Sequence, residues 1–471
     1  MLIGTPTAKV VISSTDRKIQ ISSSAGDTKS QLLSVVTQKD LTEPSGSFQI
    51  QLTPEKDSNG LTWFDRINIW DFVEIDFKGI LDDRELTCMR GLIDSVTFSE
   101  DYASGVPQRS IMVSGRDLGC LLTDFHIYMI PELGEKAAAE MVVGGPVWFR
   151  AAEKGFIGGN AYDTFEFLTK MFFEQIDLVI SSEASILTYL DWDAASFMDD
   201  LRTYIGYLQG YQGPWWNAFS QYQDQPFHEM FVYDSNAMSW FILRPSRLKD
   251  ANRNYHPTVI SLMSNSEKSH MYPPDFTITN EEKISTSLSK HITDMYNYYL
   301  TIPTLNVMTK IDFRGTAIQN NFDNPENSKN PFFQLDKEYP SYMKKYGFRK
   351  KEFETTYIDL DIGQFKRQGQ GYNSELKNTF VELGEELNRV LVAWFLHNPL
   401  LLSGNIQIAG TNRSIIGTYM IDQDEKMEYY VEGVNHNFVT LQSFTTNLRV
   451  SRGLPLGGML QANKEYLIPT L

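Results

Sequence analysis

Cysteine is nearly absent: Cys88 and Cys120 are the only two in 471 residues. No CxxC and no Cys/His cluster exists, so a structural zinc site has no ligand set. Two isolated thiols in an intracellular assembly are expected to stay free rather than bridge. Histidine is scarce as well, at seven. None of His126, His228, His256, His270, His291, His397 and His436 stands four residues from another, which excludes the helical metal pair. The chain also lacks an apolar run of the roughly 18–20 residues a membrane helix needs. The opening Met1-Leu2-Ile3-Gly4-Thr5-Pro6 has no basic region followed by an apolar one, so a secretory leader is not expected. Positive charge is short: 42 Lys and Arg face 59 Asp and Glu, leaving −17 and a pI near 4.9. Such a chain has little to offer a phosphate backbone or an anionic lipid surface.

Recognisable catalytic apparatus is missing too. Gly155-Phe156-Ile157-Gly158-Gly159-Asn160 is not followed by Gly-Lys-Ser/Thr and is no phosphate cradle. Asp422-Gln423-Asp424-Glu425-Lys426 begins like a calcium loop, but its twelfth place is Gly433. The paired acids Asp82-Asp83, Asp199-Asp200, Glu281-Glu282 and Glu385-Glu386 are adjacent carboxylates, which are expected to point apart and be solvated. Asn412-Arg413-Ser414 matches a glycosylation sequon with no secretory context to use it. No cofactor, metal or catalytic residue is expected.

Aromatic residues are abundant: 29 Phe, 23 Tyr and 8 Trp, within a hydrophobic share of 42%. That is enough apolar surface for several cores, and the length suggests two to four domains. A strand pattern recurs near both ends. Ser47–Leu52 alternates, and Ile69–Phe77 follows, with Val73, Ile75 and Phe77 on one face and Glu74 and Asp76 on the other. Arg90–Val96 and Ile111–Asp117 complete the set. Near the C-terminus, Gly404–Ile408, Tyr429–His436 and Phe444–Val450 repeat it. Between them the text turns helical. Glu135–Met141 is rich in helix formers, Tyr162–Ile176 places Phe165, Leu168 and Phe172 on one face, and Pro214–Phe219 opens a short helix. Pro226–Asp234 leads to the strand Ser239–Pro245, where proline ends the ladder. Leu376, Phe380, Leu383, Leu387, Leu391 and Trp394 mark a helix over 375–397, ending before Asn398-Pro399. Residues 311–374 are polar and irregular, with Asn320–Asn327 an exposed loop.

The fold class expected is α+β and β-rich: two antiparallel β-barrels with helical and irregular insertions. The expected divisions are 1–118 for the first barrel, 119–270 for a helix-rich part with returning strands, and 271–310 with 398–453 for the second barrel. Residues 311–397 form a polar insertion with an amphipathic helix, and 454–471 a tail.

Three stretches carry a resemblance. They are Ser114-Gly115-Arg116-Asp117-Leu118; Pro226–Asp234 followed by Leu243-Arg244-Pro245; and Gly404–Ile408 with Gly417–Ile421, Tyr430–His436 and 444–450. In this order along the chain they resemble the central baseplate hub family of tailed phages and contractile injection systems, including the late control D type proteins. The resemblance implies a homotrimer with two tail-tube-like barrels per chain. The resulting pseudo-six-fold ring would sit between a hexameric tail tube and a trimeric spike, with DNA or cargo passing through. Implied partners are the tail tube and central spike proteins, with wedge and tape measure proteins as further candidates. The implied location is the virion tail baseplate, assembled in the host bacterial cytoplasm, with no membrane anchoring by this chain. A negative lumen fits that role, because a surface that binds no phosphate lets DNA slide. Any spike or wall-degrading part would be a separate protein.

Gly115, Arg116, Asp117, Phe227, Glu229, Arg244, Pro245, Gly433, His436 and Arg449 are the structural or interface candidates. Gly115 is expected to permit a bend, Arg116–Asp117 to form an ion pair or helix entry, and His436 to bond backbone or the neighbouring barrel. Two rival functions remain open. One is a carbohydrate-active or carbohydrate-binding protein that uses Trp215-Trp216, tyrosines and acids on cell-surface glycan. The other is an assembly scaffold.

Overall fold

The computed structural model describes residues 5–14, 17–23, 31–56, 59–102, 108–127, 158–179, 188–195, 202–204, 213–220, 227–247, 249, 254–303, 336–338, 340–355 and 387–456. Strands dominate, and sixteen position the site. They are β1 (Thr7–Ser14), β2 (Arg17–Ser22), β3 (Leu32–Asp40), β4 (Ser47–Leu52), β5 (Phe72–Lys78), β6 (Leu86–Asp101), β7 (Gln108–Asp117) and β8 (Leu190–Ala194). The rest are β9 (His228–Asp234), β10 (Ser239–Pro245), β11 (Phe276–Ile278), β12 (Lys283–Ser289), β13 (Leu402–Ala409), β14 (Tyr419–Asp422), β15 (Met427–Val439) and β16 (Ser443–Pro455).

Side-chain alternation explains the strands. Phe48, Ile50 and Leu52 of β4 turn inward while Ser47 and Gln49 stay out. Val73, Ile75 and Phe77 of β5 are fully buried, as their spacing predicts. The opposite face of β5 is not simply solvated. Asp76 is buried too, accepting from Thr87 Oγ1 at 2.9 Å and Lys9 Nζ at 2.8 Å. The strand starts later than the sequence predicts. Asp71 takes the Asn68 N–H on its carboxylate (2.9 Å), and Trp70 donates to the Ile93 carbonyl at 2.8 Å. This bend holds Ile69 and Trp70 outward, with Trp70 at φ 71°.

The strands of both chain ends lie in one 13-stranded sheet, ordered β12-β13-β16-β15-β3-β4-β7-β6-β5-β1-β2, with β14 on β15 and β11 on β14. Within it one unit occurs twice. In β3 to β7, the first strand pairs the second, the second the fifth, the fifth the fourth, and the fourth the third, all antiparallel. The strands β12, β13, β14, β15 and β16 repeat those pairings. Even the irregularity repeats: the fourth strand bulges against the fifth between Ile93 and Ser95 in one unit and between Val431 and Gly433 in the other. A bulge adds a residue and bends its strand, here at equivalent points.

The unit cores are not separate. Phe438 and Phe444 of the C-terminal unit join the core of Val35, Ile50, Val73, Phe77 and Val113 in the N-terminal one. The Phe77 and Phe444 rings lie 5.0 Å apart. Burying each such ring contributes about 1.5–3 kcal/mol, so the two units stabilise one another.

Helix Ala161–Val179 buries Phe165, Leu168, Phe172 and Ile176, the stripe its spacing predicts. It packs on the small sheet β8-β10-β9 and on helix Trp215–Ser220 through Phe172, Trp215, Phe219 and Phe241. The helix expected over 375–397 is present at 387–395, burying Leu387 and Leu391; its earlier turns lie outside the described residues, as do Glu135–Met141 and Asn320–Asn327. Part of the irregular stretch is ordered, since Lys350–Thr355 pairs Tyr298–Pro303 and Pro340–Tyr346 is helical. Gly158–Asn160 is a short strand paired with Arg202–Tyr204. Among the described residues no helix is long and apolar enough to cross a membrane.

Candidate functional site: the joint between the two strand units

The units meet main chain to main chain. Ser34–Asp40 of β3 pairs antiparallel with Gly433–Val439 of β15, from Asp40 opposite Gly433 to Ser34 opposite Val439. Three of the candidate residues lie here. Gly433 stands at the bulge, opposite Asp40. Arg449 donates from Nη2 to Asp40 Oδ1 at 2.6 Å and reaches Glu432 at 3.7 Å, so it links β16 to β3. His436 accompanies them. Its Nδ1 meets Thr446 Oγ1 at 3.0 Å and its ring lies 5.4 Å from that of Phe77 in the other unit. Burial holds it neutral, with its pKa pushed down to about 4.

A loop plugs the joint from one side. The buried Asp82 carboxylate accepts from Gly79 N (2.7 Å), Thr411 Oγ1 (2.7 Å) and Asn412 N (2.8 Å). Asn412 Nδ2 in turn donates to the carbonyls of Phe77 and Arg84, at 2.7 and 2.8 Å. The sequon asparagine is therefore a buried structural group. Asp82, one of the adjacent acids, is a satisfied acceptor, and Glu282 is likewise engaged, taking Arg413 Nη2 at 2.5 Å.

The hairpin β9–β10 closes another side. Arg90 donates to the Ser235 carbonyl (2.6 Å) and the Asn236 carbonyl (2.9 Å) at its tip, and pairs Glu74 at 2.8 Å. Beside it, Lys39 lies between Asp234 at 2.5 Å and Asp117 at 3.4 Å. Burial alone would lower the Lys39 pKa, but the two carboxylates outweigh it and hold it above the ordinary value. Burial raises the Asp117 pKa, and Asp234 adds to it against the pull of Lys39. Asp117 also accepts from Gly119 N at 2.9 Å, serving the entry to helix Cys120–Asp124.

The remaining candidates form two further groups. Arg116 grips Asp94 (2.7 and 3.0 Å) and Asp124 (2.9 and 2.7 Å) within its own chain. Gly115 sits opposite the bulge, paired with Phe48 and Ile93, and a Cβ there would fall 2.1 Å from the Leu92 carbonyl and 2.4 Å from the Phe48 ring. Its role is close approach rather than a turn. Glu229 and Arg244 pair across β9 and β10. Arg244, 0% exposed, also donates to the Met271 carbonyl and, at 2.6 Å, to the Gly417 carbonyl, while Tyr430 donates to Glu229. This cluster fastens the hairpin to β14 and β15. Pro245 ends β10 and its carbonyl accepts from Tyr272 at 3.0 Å; Phe227 packs on Phe353, with ring centres 4.8 Å apart.

A cavity of about 650 Å³ opens at the joint, lined by Lys39, Cys88, Asp234, Asp275, Arg413 and His436 among others. Burial raises the Cys88 thiol far above its ordinary pKa, so the cavity holds a neutral thiol and a neutral imidazole. Both cysteines are free. Among the described residues no group of three metal-ligating side chains gathers. Lys39, Arg90 and Asp234 carry much of this joint without any motif to mark them, and only partners up to 195 positions away reveal them. Asp82 and Asn412 stand out in the sequence only as one of two adjacent acids and as a sequon; their structural role rests on partners as far as 335 positions away.

No protein-family model matches the chain, and no curated protein does. Solved structures of low identity are similar in fold over most of its length. A tail protein from Neisseria meningitidis covers 94% of this chain and 96% of its own, at 10% identity and a TM-score of 0.47. A 43 kDa tail protein of prophage MuSo2 from Shewanella oneidensis covers 94% and 98%, at 9% and 0.46. A prophage tail protein from Listeria monocytogenes covers 94% and 94%, at 8% and 0.45.

Proposed function

We propose that this chain is the structural hub of a phage baseplate or contractile injection system, a ring component rather than an enzyme. One observation carries the reading: the same five-strand unit occurs twice in the chain, joined edge to edge in one sheet. Three copies of a two-unit chain present six equivalent units to a six-fold tube while remaining three-fold toward a spike. The sequence resemblance to the baseplate hub family points the same way. Each copy also brings −17, which suits a ring that DNA or cargo traverses without specific binding. Partners on this reading are two further copies, the tail tube protein, the central spike protein, and wedge or tape measure proteins, at the virion tail baseplate.

The carbohydrate reading loses its main support. Trp215 is 2% exposed and donates to Gln175 at 2.5 Å inside a core of Phe172 and Phe219, so the Trp215-Trp216 pair presents no paired stacking platform.

The test is native mass, measured on the chain alone and with tube and spike proteins from the same source. The hub reading expects three times 54.0 kDa, alone or on adding spike. A chain that stays monomeric with both partners present overturns it.

A further inference from the structure

The fourth strand of the C-terminal unit is used twice on one side. With β16 along its other edge, β15 gives Met427–Tyr430 to β14 and, beyond the bulge, Gly433–Val439 to β3 of the other unit. The fourth strand of the N-terminal unit has the same form and only half the partners. With β7 along one edge, β6 gives Leu86–Leu92 to β5, and beyond the bulge the stretch 95–101 has no strand on that side among the described residues. Thr97, Phe98, Ser99 and Glu100 are exposed there.

The strand that fills this position in the chain's own joint is the first strand of a unit, β3. The first strand of the other unit is β12. It pairs only β13 among the described residues, and Ile284–Ser287 are exposed on both of its faces. Between Ile284 and Ser289 it carries no proline and no charge, the devices that keep an edge strand from pairing with another chain. Its own β6 lies seven strands away along the sheet, roughly 30 Å at about 4.8 Å per strand. Pairing between these two edges therefore requires two copies of the chain.

We propose that β12 of one copy pairs with the open stretch of β6 in the next, repeating between chains the joint that β3 and β15 make within one. The register follows from the repeat. The bulges place Phe98 where His436 stands and Thr97 where Asn435 stands. Pairing to the second strand places Leu288, opposite Gly404, where Thr37 stands opposite Phe48. His436 faces Thr37 and Asn435 faces Gln38 in the internal joint. Leu288 therefore faces Phe98, and Ser289 faces Thr97.

Apolar surface gathers at the same edge. Phe98 is 42% exposed and packs edge-on with Phe64, itself 47% exposed, at 6.5 Å. Ile69 and Trp70 stand 63% and 48% exposed on the bend that leads to β5. A non-glycine residue at positive φ costs of order 1–3 kcal/mol, and here it holds a tryptophan out of the core. Exposed aromatic and aliphatic groups of this kind form the centre of protein interfaces. The contact is head-to-tail, one edge to a different one, so its repetition builds a ring or a filament. Closure at three copies rests on the hub reading above; the strand pairing does not.

The test is a cysteine pair, Thr97→Cys with Ser289→Cys, in the full chain. Both sites are exposed, and single variants give the background from Cys88 and Cys120. Mild oxidation should link most of the double variant into covalent trimers on a non-reducing gel. A mixture of the two single variants should give dimers only, and Thr97→Cys with Ser285→Cys, four residues out of register, should link poorly. Leu288→Asp should lower the native mass to that of one chain without lowering its melting temperature. A trimer by native mass in which Thr97→Cys with Ser289→Cys forms no cross-link overturns the strand pairing and leaves the hub reading standing. A chain monomeric under all conditions overturns both.

Discussion

Arg244 sets Nε and Nη2 against a single oxygen of Glu229, at 3.1 and 3.0 Å, in a place where neither side chain meets solvent. The pair is enclosed by the rings of Phe231 and Tyr272, 4.8 and 4.7 Å from the guanidinium carbon. Burial works to lower the Arg244 pKa, yet Glu229 and its neighbours hold it above the ordinary value. Two charges so placed contribute little net stability as a pair, but removing one strands the other. Arg244→Met should therefore destabilise by about 3–5 kcal/mol in chemical unfolding. Glu229→Leu with Arg244→Met should recover part of that loss. A single-variant loss under about 1 kcal/mol would mean that water reaches Glu229 and the cluster does not fasten the hairpin.

Gly115 tests the close approach beside the bulge. A methyl there meets a carbonyl oxygen of the paired strand as well as the Phe48 ring, and the backbone oxygen has nowhere to turn. Gly115→Ala should cost about 1–3 kcal/mol, the usual range for an overfilled core. Gly115→Ala with Phe48→Leu should relieve only the ring part. Full recovery in the double variant would show that the ring alone is the obstacle.

How much of this was legible beforehand follows from the range of each interaction. Val73, Ile75 and Phe77, or Phe165, Leu168 and Phe172, announce their faces because periodicity is local. Helix Ala161–Val179 and strands β4, β7, β13, β15 and β16 were accordingly readable to within a few residues. The start of β5 was not, because Ile69 and Trp70 continue an apolar run and only the Asp71–Asn68 hydrogen bond shows that the run is broken. The union of the two units in one sheet was also invisible. It depends on β3 meeting β15, nearly 400 residues later, and alternation does not name a partner. Candidate residues fared by the same rule. Glu229 and Arg244 lie in one stretch of the sequence singled out for its resemblance, and one hairpin pairs them, whereas Lys39 and Asp117 needed the fold to meet Asp234.

Three buried histidines and the half-buried His256 make stability depend on pH. Burial pushes His228 down to about 3 and is the largest influence lowering His256, His397 and His436 to about 4. Each is neutral in the folded chain and titrates near 6.5 once unfolded. The unfolded state therefore binds more protons below 6.5, and stability falls as pH drops from 6.5 toward 4. The slope approaches about 1.4 kcal/mol per pH unit for each histidine. The comparison belongs between pH 7.5 and roughly 5, above the ordinary range of the carboxylates. His436→Gln, which keeps a hydrogen-bonding side chain toward Thr446 but cannot titrate, should flatten the fall in melting temperature over that window. Parallel curves for the two proteins would place the imidazole in contact with water.

Asp82 offers the sharpest test of the joint itself, because its three short hydrogen bonds come from both units: Gly79 from one, Thr411 and Asn412 from the other. Asp82→Ala removes the acceptor and leaves two backbone N–H groups and a hydroxyl buried without it. At about 1–3 kcal/mol for each stranded group, with losses that do not add in full, a total near 3 kcal/mol is expected. Asp82→Asn keeps one oxygen in place for the two N–H groups and turns its amide toward the Thr411 hydroxyl, so it should lose about 1 kcal/mol. Amide exchange separates a local from a global effect. In Asp82→Ala the amides of Gly410 and Asn412 should exchange much faster, and those of Val434 and His436 in the β3–β15 ladder should follow, because the loop shields that end of the seam. Acceleration at 410–413 alone, with the ladder unchanged, would show that the main-chain pairing holds the units together without the plug. Asp82 would then be a loop anchor rather than part of the joint.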